Sequence, residues 1–164
     1  MEIEKTVKYK VYLRRYDIAH KMNKDMLSQI AGFKIDGIWH TAIEIHETEY
    51  FYGNGIEQCE PGTCARYGPL VERTLIGETE CSPDLLKEFI EDQKVEFFSK
   101  ESYHLLDHNC NHFADYLSNF LVQKGIPPFI LKLSEDCKKN PIFCQFYTQN
   151  AKSIHSFVNE TNKK

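Results

Sequence analysis

No stretch of this chain approaches the roughly 20 apolar residues that a membrane-spanning helix needs. The opening Met1-Glu2-Ile3-Glu4-Lys5 also lacks the apolar core of a secretion signal. The expectation is a cytoplasmic location, with nuclear access at this size. Basic residues are not in excess: 20 Lys and Arg stand against 24 Asp and Glu, a net charge of −4. That excludes a general electrostatic pull toward nucleic acid or anionic lipid. No Cys-x2-Cys pair occurs, although there are six cysteines. A zinc set drawn from Cys59, Cys64, Cys81 and either His108 or His112 would depart from structural zinc modules, so no metal or other cofactor is expected. Without a secretion signal, reduced thiols are expected rather than three disulfides. Repeats, low-complexity tracts and interdomain linkers are missing as well.

What is present suits one folded unit. A chain of 164 residues, 41% hydrophobic, can bury a real core. Residues 1–150 read as one domain and 151–164 as a polar, Lys-ended tail. A first strand is predicted near 7–13 and a helix over 24–31, with Asn23 as N-cap and Gly32 closing it. Alternation predicts a strand from Ile38, with Trp39, Thr41, Ile43 and Ile45 on one face and His40, Ala42, Glu44 and His46 on the other. A hairpin partner follows at 49–52. The glycine- and proline-bearing stretch from Gly53 to Pro69 then reads as a long irregular loop, either a cleft wall or a plain connection. A strand at 70–76 precedes a helix capped by Ser82-Pro83 that buries Leu85, Leu86, Phe89 and Ile90. Tyr103-His104-Leu105-Leu106 reads as extended. The next helix spaces Phe113, Leu117, Phe120 and Leu121 along one face and stops near Gly125 and Pro127-Pro128. A last helical region follows Asn140-Pro141, and Cys137 and Cys144 read as one helical face in the core. The fold class is α+β, a small antiparallel sheet packed against helices.

The chemistry gathers at His108-Asn109-Cys110-Asn111, where Asn109 or Asn111 can cap the helix that follows. A cysteine there meets unpaired backbone N–H groups and the positive end of the helix dipole. Both favour thiolate over thiol, and such a setting lowers a thiol from about 8.5 to roughly 3.5–7.5. The same N–H groups can hold an oxyanion, with the Cys110 backbone N–H the first candidate. Burial as a small hydrophobe is the competing reading. The candidate base is His40, placed at the start of its strand after the Asp36-Gly37 turn, where an imidazole can face a helix end. His108 and His112 flank the cysteine but point elsewhere along the helix. Trp39 adjoins His40, either lining a cleft or in the core. Tyr16 and Asp17 reach the site if the first strand borders the second.

Gly-Ile-Trp-His-Thr at 37–41, Tyr-Phe-Tyr-Gly at 50–53 and Tyr-His-Leu-Leu-Asp-His-Asn-Cys-Asn-His-Phe at 103–113 resemble the PPPDE peptidases, papain-like proteins with a permuted chain. The closest branch is similar to the desumoylating isopeptidases. Val11-Tyr12-Leu13 with Tyr16-Asp17, and Gly125-Ile126-Pro127, fit as well, so that the resemblance spans roughly residues 7 to 147. It implies a permuted papain-like fold with the nucleophile at a helix N-terminus, His40 and Cys110 as a catalytic dyad, and no cofactor. It further implies cleavage of a ubiquitin-like modifier (SUMO or ubiquitin) from lysine side chains through an acyl-enzyme, and it leaves a homodimer open. Asn109, Asn111 and Tyr16 are the oxyanion or orienting candidates, and Trp39, Gly53 and Gly55 the cleft-lining ones. Cys59, Glu60 and Cys64 depart from the small and apolar residues expected in that loop. Removal of a fatty acyl group from protein cysteine by the same dyad is the alternative chemistry. A noncatalytic binding protein of the same fold is the alternative class.

Overall fold

The computed structural model describes residues 2–149, so the tail at 151–164 lies outside the described residues. Five antiparallel strands, β1 (Tyr9–Asp17), β2 (Trp39–Ile45), β3 (Thr48–Gly53), β4 (Gly55–Cys59) and β5 (Leu70–Thr79), form one sheet in the order β4-β3-β2-β1-β5. Helices α1 (Lys24–Ala31), α2 (Pro83–Glu96), α3 (Cys110–Val122) and α4 (Pro128–Lys138) follow in chain order with the strands, and a fifth, α5, occupies 141–149. This is the α+β class that the alternation predicted.

The alternation of β2 decides what lies on each side of the sheet. Ile43 and Ile45 are fully buried with Phe113, Ala114, Leu117 and Leu121 of α3, and Trp39 packs at the margin of that core. On the opposite face Ala42 joins Tyr16, Phe51 and Tyr67 in a small separate cluster. A third cluster ties α1, α4 and α5 through Leu27, Cys137 and Phe143. Burial at this level is worth about 1.5–3 kcal/mol per large side chain, so the α3 face is what holds the helix on the sheet.

Local signals fall where expected at the helix ends. Asn23 caps α1 by accepting from Met26 N–H, and Gly32 closes it in the left-handed region at φ 76°. Ser82 caps α2 ahead of Pro83.

Elsewhere the structure corrects the reading. The first strand runs to Asp17 rather than ending at position 13, because it pairs with β2 through Asp17↔Trp39. The stretch after Gly53 is not irregular throughout: β4 pairs on to β3, and a single 3-10 turn spans Ala65–Tyr67. Its glycines serve turns between short paired segments. His46 leaves the strand, since it and Glu47 adopt positive φ (51° and 56°) to make the tight β2–β3 turn. Leu85 and Phe120 are exposed, at 52% and 39%; Phe120 instead stacks on Phe89 at 3.7 Å. Residues 103–108 form a turn closed by paired backbone hydrogen bonds between His104 and His108, not an extended lead-in. The α3 helix ends at Val122 with Gln123 in the left-handed conformation, before Gly125 is reached. Cys137 and Cys144, expected on one helical face, lie instead on separate helices, α4 and α5, although both join the same core.

Candidate active site

The N-terminus of α3 is built by one asparagine and anchored by another. Asn109 caps the helix: its Oδ1 accepts from the Asn111 and His112 N–H groups at 2.9 and 3.4 Å, while His112 Nδ1 accepts from Asn109 N–H at 3.0 Å. Its Nδ2 donates to Leu105 O at 2.7 Å and to Ser134 Oγ of α4 at 3.3 Å. Asn109 is therefore committed to structure. Asn111 reaches across to β2. Its Nδ2 donates to Trp39 O at 3.0 Å, and its Oδ1 accepts from Thr41 Oγ1 at 2.8 Å. These two partners flank His40, so Asn111 ties the first turn of α3 to both sides of the histidine.

Cys110, the first residue of α3, is buried. Backbone N–H groups of Thr41, Asn111 and Cys110 itself point hydrogen bonds at its sulfur, and the Asn111 carboxamide oxygen lies 3.7 Å from it. Burial outweighs these donors and pushes the thiol up to about 11. The expected low thiol pKa is thus not met in the free protein, because the helix end that supplies the N–H groups is also closed from water. The phenols of Tyr67, Tyr103 and Tyr147 lie near enough to feel its charge, and burial pushes all three up.

His40 is almost fully buried, at 1% exposure. Tyr67 stacks flat on its imidazole with centroids 3.6 Å apart and planes within 9°. Phe51 meets it edge-on at 5.7 Å, and Tyr16, its partner across β1–β2, lies tilted at 5.7 Å. The structure therefore brings Cys110 against the residue that follows His40, with Tyr67 stacked on the imidazole.

Tyr16 stands beside His40, but its hydroxyl is engaged elsewhere. It donates to Glu49 Oε1 at 2.6 Å and accepts from Arg14 Nε at 2.8 Å. Burial and the Glu49 carboxylate hold that phenol protonated well above its ordinary range. Asp17 turns away from the site, accepting from the Ala19 and Ile38 N–H groups and pairing with Lys24. Trp39 lines an open cavity of about 510 Å³ with Arg15, Gly37 and Phe129. The Arg15 guanidinium sits 4.3 Å from the indole, and a Cβ on Gly37 would come within 2.4 Å of it. Gly53 borders the Tyr67 hydroxyl, which a Cβ there would approach to 2.8 Å. Gly55 lies at the β3–β4 turn beside Lys100 and does not join this group.

The residues that sequence reasoning missed are Tyr67 and the carboxylate beneath it. Glu49, 1% exposed, accepts from Tyr16 and from Gly62 N–H at 3.0 Å and pairs with Arg14 at 3.5 Å. It moors the segment that carries Tyr67. A charged residue in an alternating strand reads as solvent-facing, so only its position on the face shared with Phe51 hinted otherwise. For a metal the setting is unsuited: among the described residues no group of three or more His, Cys, Asp or Glu converges. Cys81 lies in the α3 core, while Cys59 and Cys64 pack beside Tyr67.

Comparison with known proteins accords with this arrangement. Residues 9–151 match the family model described as "PPPDE putative peptidase domain". The chain is 34% identical to Desumoylating isopeptidase 1 of Xenopus laevis over 142 residues, covering 80% of this chain and 78% of that protein. It is 32% identical to Desumoylating isopeptidase 1 of Homo sapiens over 134 residues, covering 81% and 79%. The DeSI-like protein sdu1 of Schizosaccharomyces pombe is 26% identical over 164 residues, covering 93% and 78%. With a buried thiol at the N-terminus of α3, a histidine on the strand it adjoins, and a family match across most of its length, the chain belongs to the PPPDE peptidase family.

Proposed function

We propose that this protein is a cysteine isopeptidase that releases a SUMO-type modifier from lysine side chains, with Cys110 as nucleophile and His40 as general base and acid. One observation carries the chemistry: the Cys110 thiol meets the backbone N–H of Thr41, the immediate neighbour of His40, at the first residue of a helix. The substrate class follows from the relatives, which are named desumoylating isopeptidases.

The burial of Cys110 sets the order of events. With the thiol pushed up to about 11, the resting sulfur is protonated, and its proton moves to His40 as sulfur adds to the isopeptide carbonyl carbon. The carbonyl electrons pass to oxygen, for which the Cys110 backbone N–H is the proposed donor. Collapse breaks the C–N bond, His40 returns its proton to the departing lysine amine, and a thioester remains on Cys110. Water, deprotonated by His40, then releases the modifier carboxylate and restores the thiol. The flat Tyr67 ring against His40 favours the transient imidazolium, since an aromatic face attracts a cation.

Turnover of a purified SUMO–lysine conjugate tests the reading, with a ubiquitin–lysine conjugate and an S-palmitoyl peptide run in parallel. Release of the SUMO-type modifier, lost in Cys110→Ala and His40→Ala, is the expected result. Preferential cleavage of the ubiquitin conjugate would move the assignment to a deubiquitinating enzyme, and preferential cleavage of the thioester to a protein thioesterase. No turnover of any of the three would favour a binding protein.

A further inference from the structure

Cys59 and Cys64 take no part in the chemistry above, yet they lie beside the residue that stacks on His40. They flank Glu60-Pro61-Gly62-Thr63, a tight turn closed by Thr63 N–H donating to Glu60 O at 3.1 Å. Proline at the second position and Gly62 at φ 80° in the third are the pattern of a type II turn. The turn reverses the chain and brings its flanking cysteines back toward each other, the approach that a disulfide needs. The two thiols are close enough to influence each other, and both are half-buried against the cluster of Tyr16, Phe51 and Tyr67. Both are free thiols in this structure.

We propose that Cys59 and Cys64 form a second thiol site, a dithiol that a peroxide converts to an intramolecular disulfide, and that this slows the reaction at Cys110. Cys64, beside the Arg66 guanidinium, attacks first, while Glu49 faces Cys59 at 4.0 Å; burial raises both thiols. Its sulfur takes one peroxide oxygen to give a sulfenic acid, and one water leaves. Cys59 sulfur then attacks the sulfenic sulfur, forming the S–S bond and releasing a second water. Two thiols and one hydrogen peroxide thus become one disulfide and two waters.

The coupling to the active site runs through three residues of chain. Cys64 leads directly into the 3-10 turn Ala65–Tyr67, which places the Tyr67 ring on His40. Gly62, in the turn between the two cysteines, is held by Glu49. Drawing the sulfurs to about 2.05 Å turns both side chains away from the aromatic cluster they share with Tyr67 and loosens the seat of its ring on the imidazole. Glutathione or thioredoxin would reverse it, since a strained short-loop disulfide is readily reduced.

The coupling rests on the proposed chemistry, but formation of the disulfide does not, so the two fail separately. The test treats Cys110→Ala, and its combinations with Cys59→Ser and Cys64→Ser, with hydrogen peroxide and reads intact mass and non-reduced peptide maps. The expected result is a species about 2 Da lighter, with Cys59 joined to Cys64, in Cys110→Ala only. Oxidation of the other thiols without that link would overturn the site. The second arm compares the turnover of peroxide-treated wild type and Cys59→Ser. At least a threefold fall in wild type that dithiothreitol restores, absent in Cys59→Ser, is expected. Equal falls in both would trace the loss to Cys110 itself and overturn the coupling, as would a disulfide that leaves turnover unchanged.

Discussion

The Tyr67 ring lies flat on the His40 imidazole at 3.6 Å, closer than the Phe51 and Tyr16 rings at 5.7 Å. A stacked pair of this kind is worth about 0.5–1.5 kcal/mol beyond the area it buries. Tyr67→Phe retains the ring and is expected to keep kcat/KM within about threefold of wild type. Tyr67→Ala removes the face that orients the imidazole and is expected to lower kcat/KM about tenfold or more. Steady-state kinetics on an isopeptide conjugate would check both; equal losses would assign the effect to the hydroxyl.

Asn111 supplies the link between α3 and β2 on either side of His40. Asn111→Ala leaves Trp39 O and Thr41 Oγ1 without these partners, at about 1–3 kcal/mol. A chain of this size loses about 2–4 °C of Tm per kcal/mol, so calorimetry should show a fall of several degrees. Turnover at a temperature where the variant is fully folded should fall as well, because the nucleophile and base are no longer held to one another. Full turnover would mean that Asn111 only stabilises.

The alkylation rate of Cys110 in the free enzyme should rise with pH toward about 11 rather than level off near neutrality. Burial raises the thiol, so the neutral form persists at pH 7, with a thiolate fraction on the order of one in ten thousand. Iodoacetamide rates over pH 6–10, read by mass at Cys110, would check it. A plateau near pH 7 would mean that a thiolate–imidazolium pair forms before substrate binds.

Stability toward acid should depend on Glu44, which Arg73 grips through both carboxylate oxygens at 2.8 and 2.9 Å and Arg14 contacts at 2.9 Å. The Arg73 and Arg14 guanidiniums hold this carboxyl below its ordinary value. A depressed carboxyl stabilises the fold above the unfolded-state pKa near about 4.3, and that contribution is lost as pH falls through the folded-state value. Glu44→Gln should cost about 1–3 kcal/mol at pH 7 and flatten the loss of Tm between pH 5 and 3. An unchanged slope would place acid sensitivity elsewhere.

Much of the site was legible because its signals are local. The Asn109 cap, the α3 start and the β2 alternation each depend on residues within a turn or two, and so do the Asn23, Gly32 and Ser82 caps. What was not legible depends on contacts between distant segments. Residues 55–59 form a strand only because β3 offers them an edge, and Glu49 is buried only because Arg14, Tyr16 and Gly62 surround it. Tyr67 sits 27 positions from His40 in the chain, and nothing at 65–67 indicates which ring it will cover. The thiol pKa was misjudged for the same reason: a helix N-terminus is visible in sequence, whereas the burial that closes Cys110 from water comes from the folded surroundings.

The most direct test of the central claim is intact-mass labelling with a SUMO-type modifier carrying a carboxy-terminal electrophile. Wild type, Cys110→Ala and His40→Ala would be measured side by side at pH 7.5. The account predicts one covalent adduct on wild type, mapped to Cys110, none on Cys110→Ala, and at least a hundredfold slower adduct formation on His40→Ala. An adduct on a different cysteine, or wild-type and His40→Ala proteins labelled at the same rate, would contradict it.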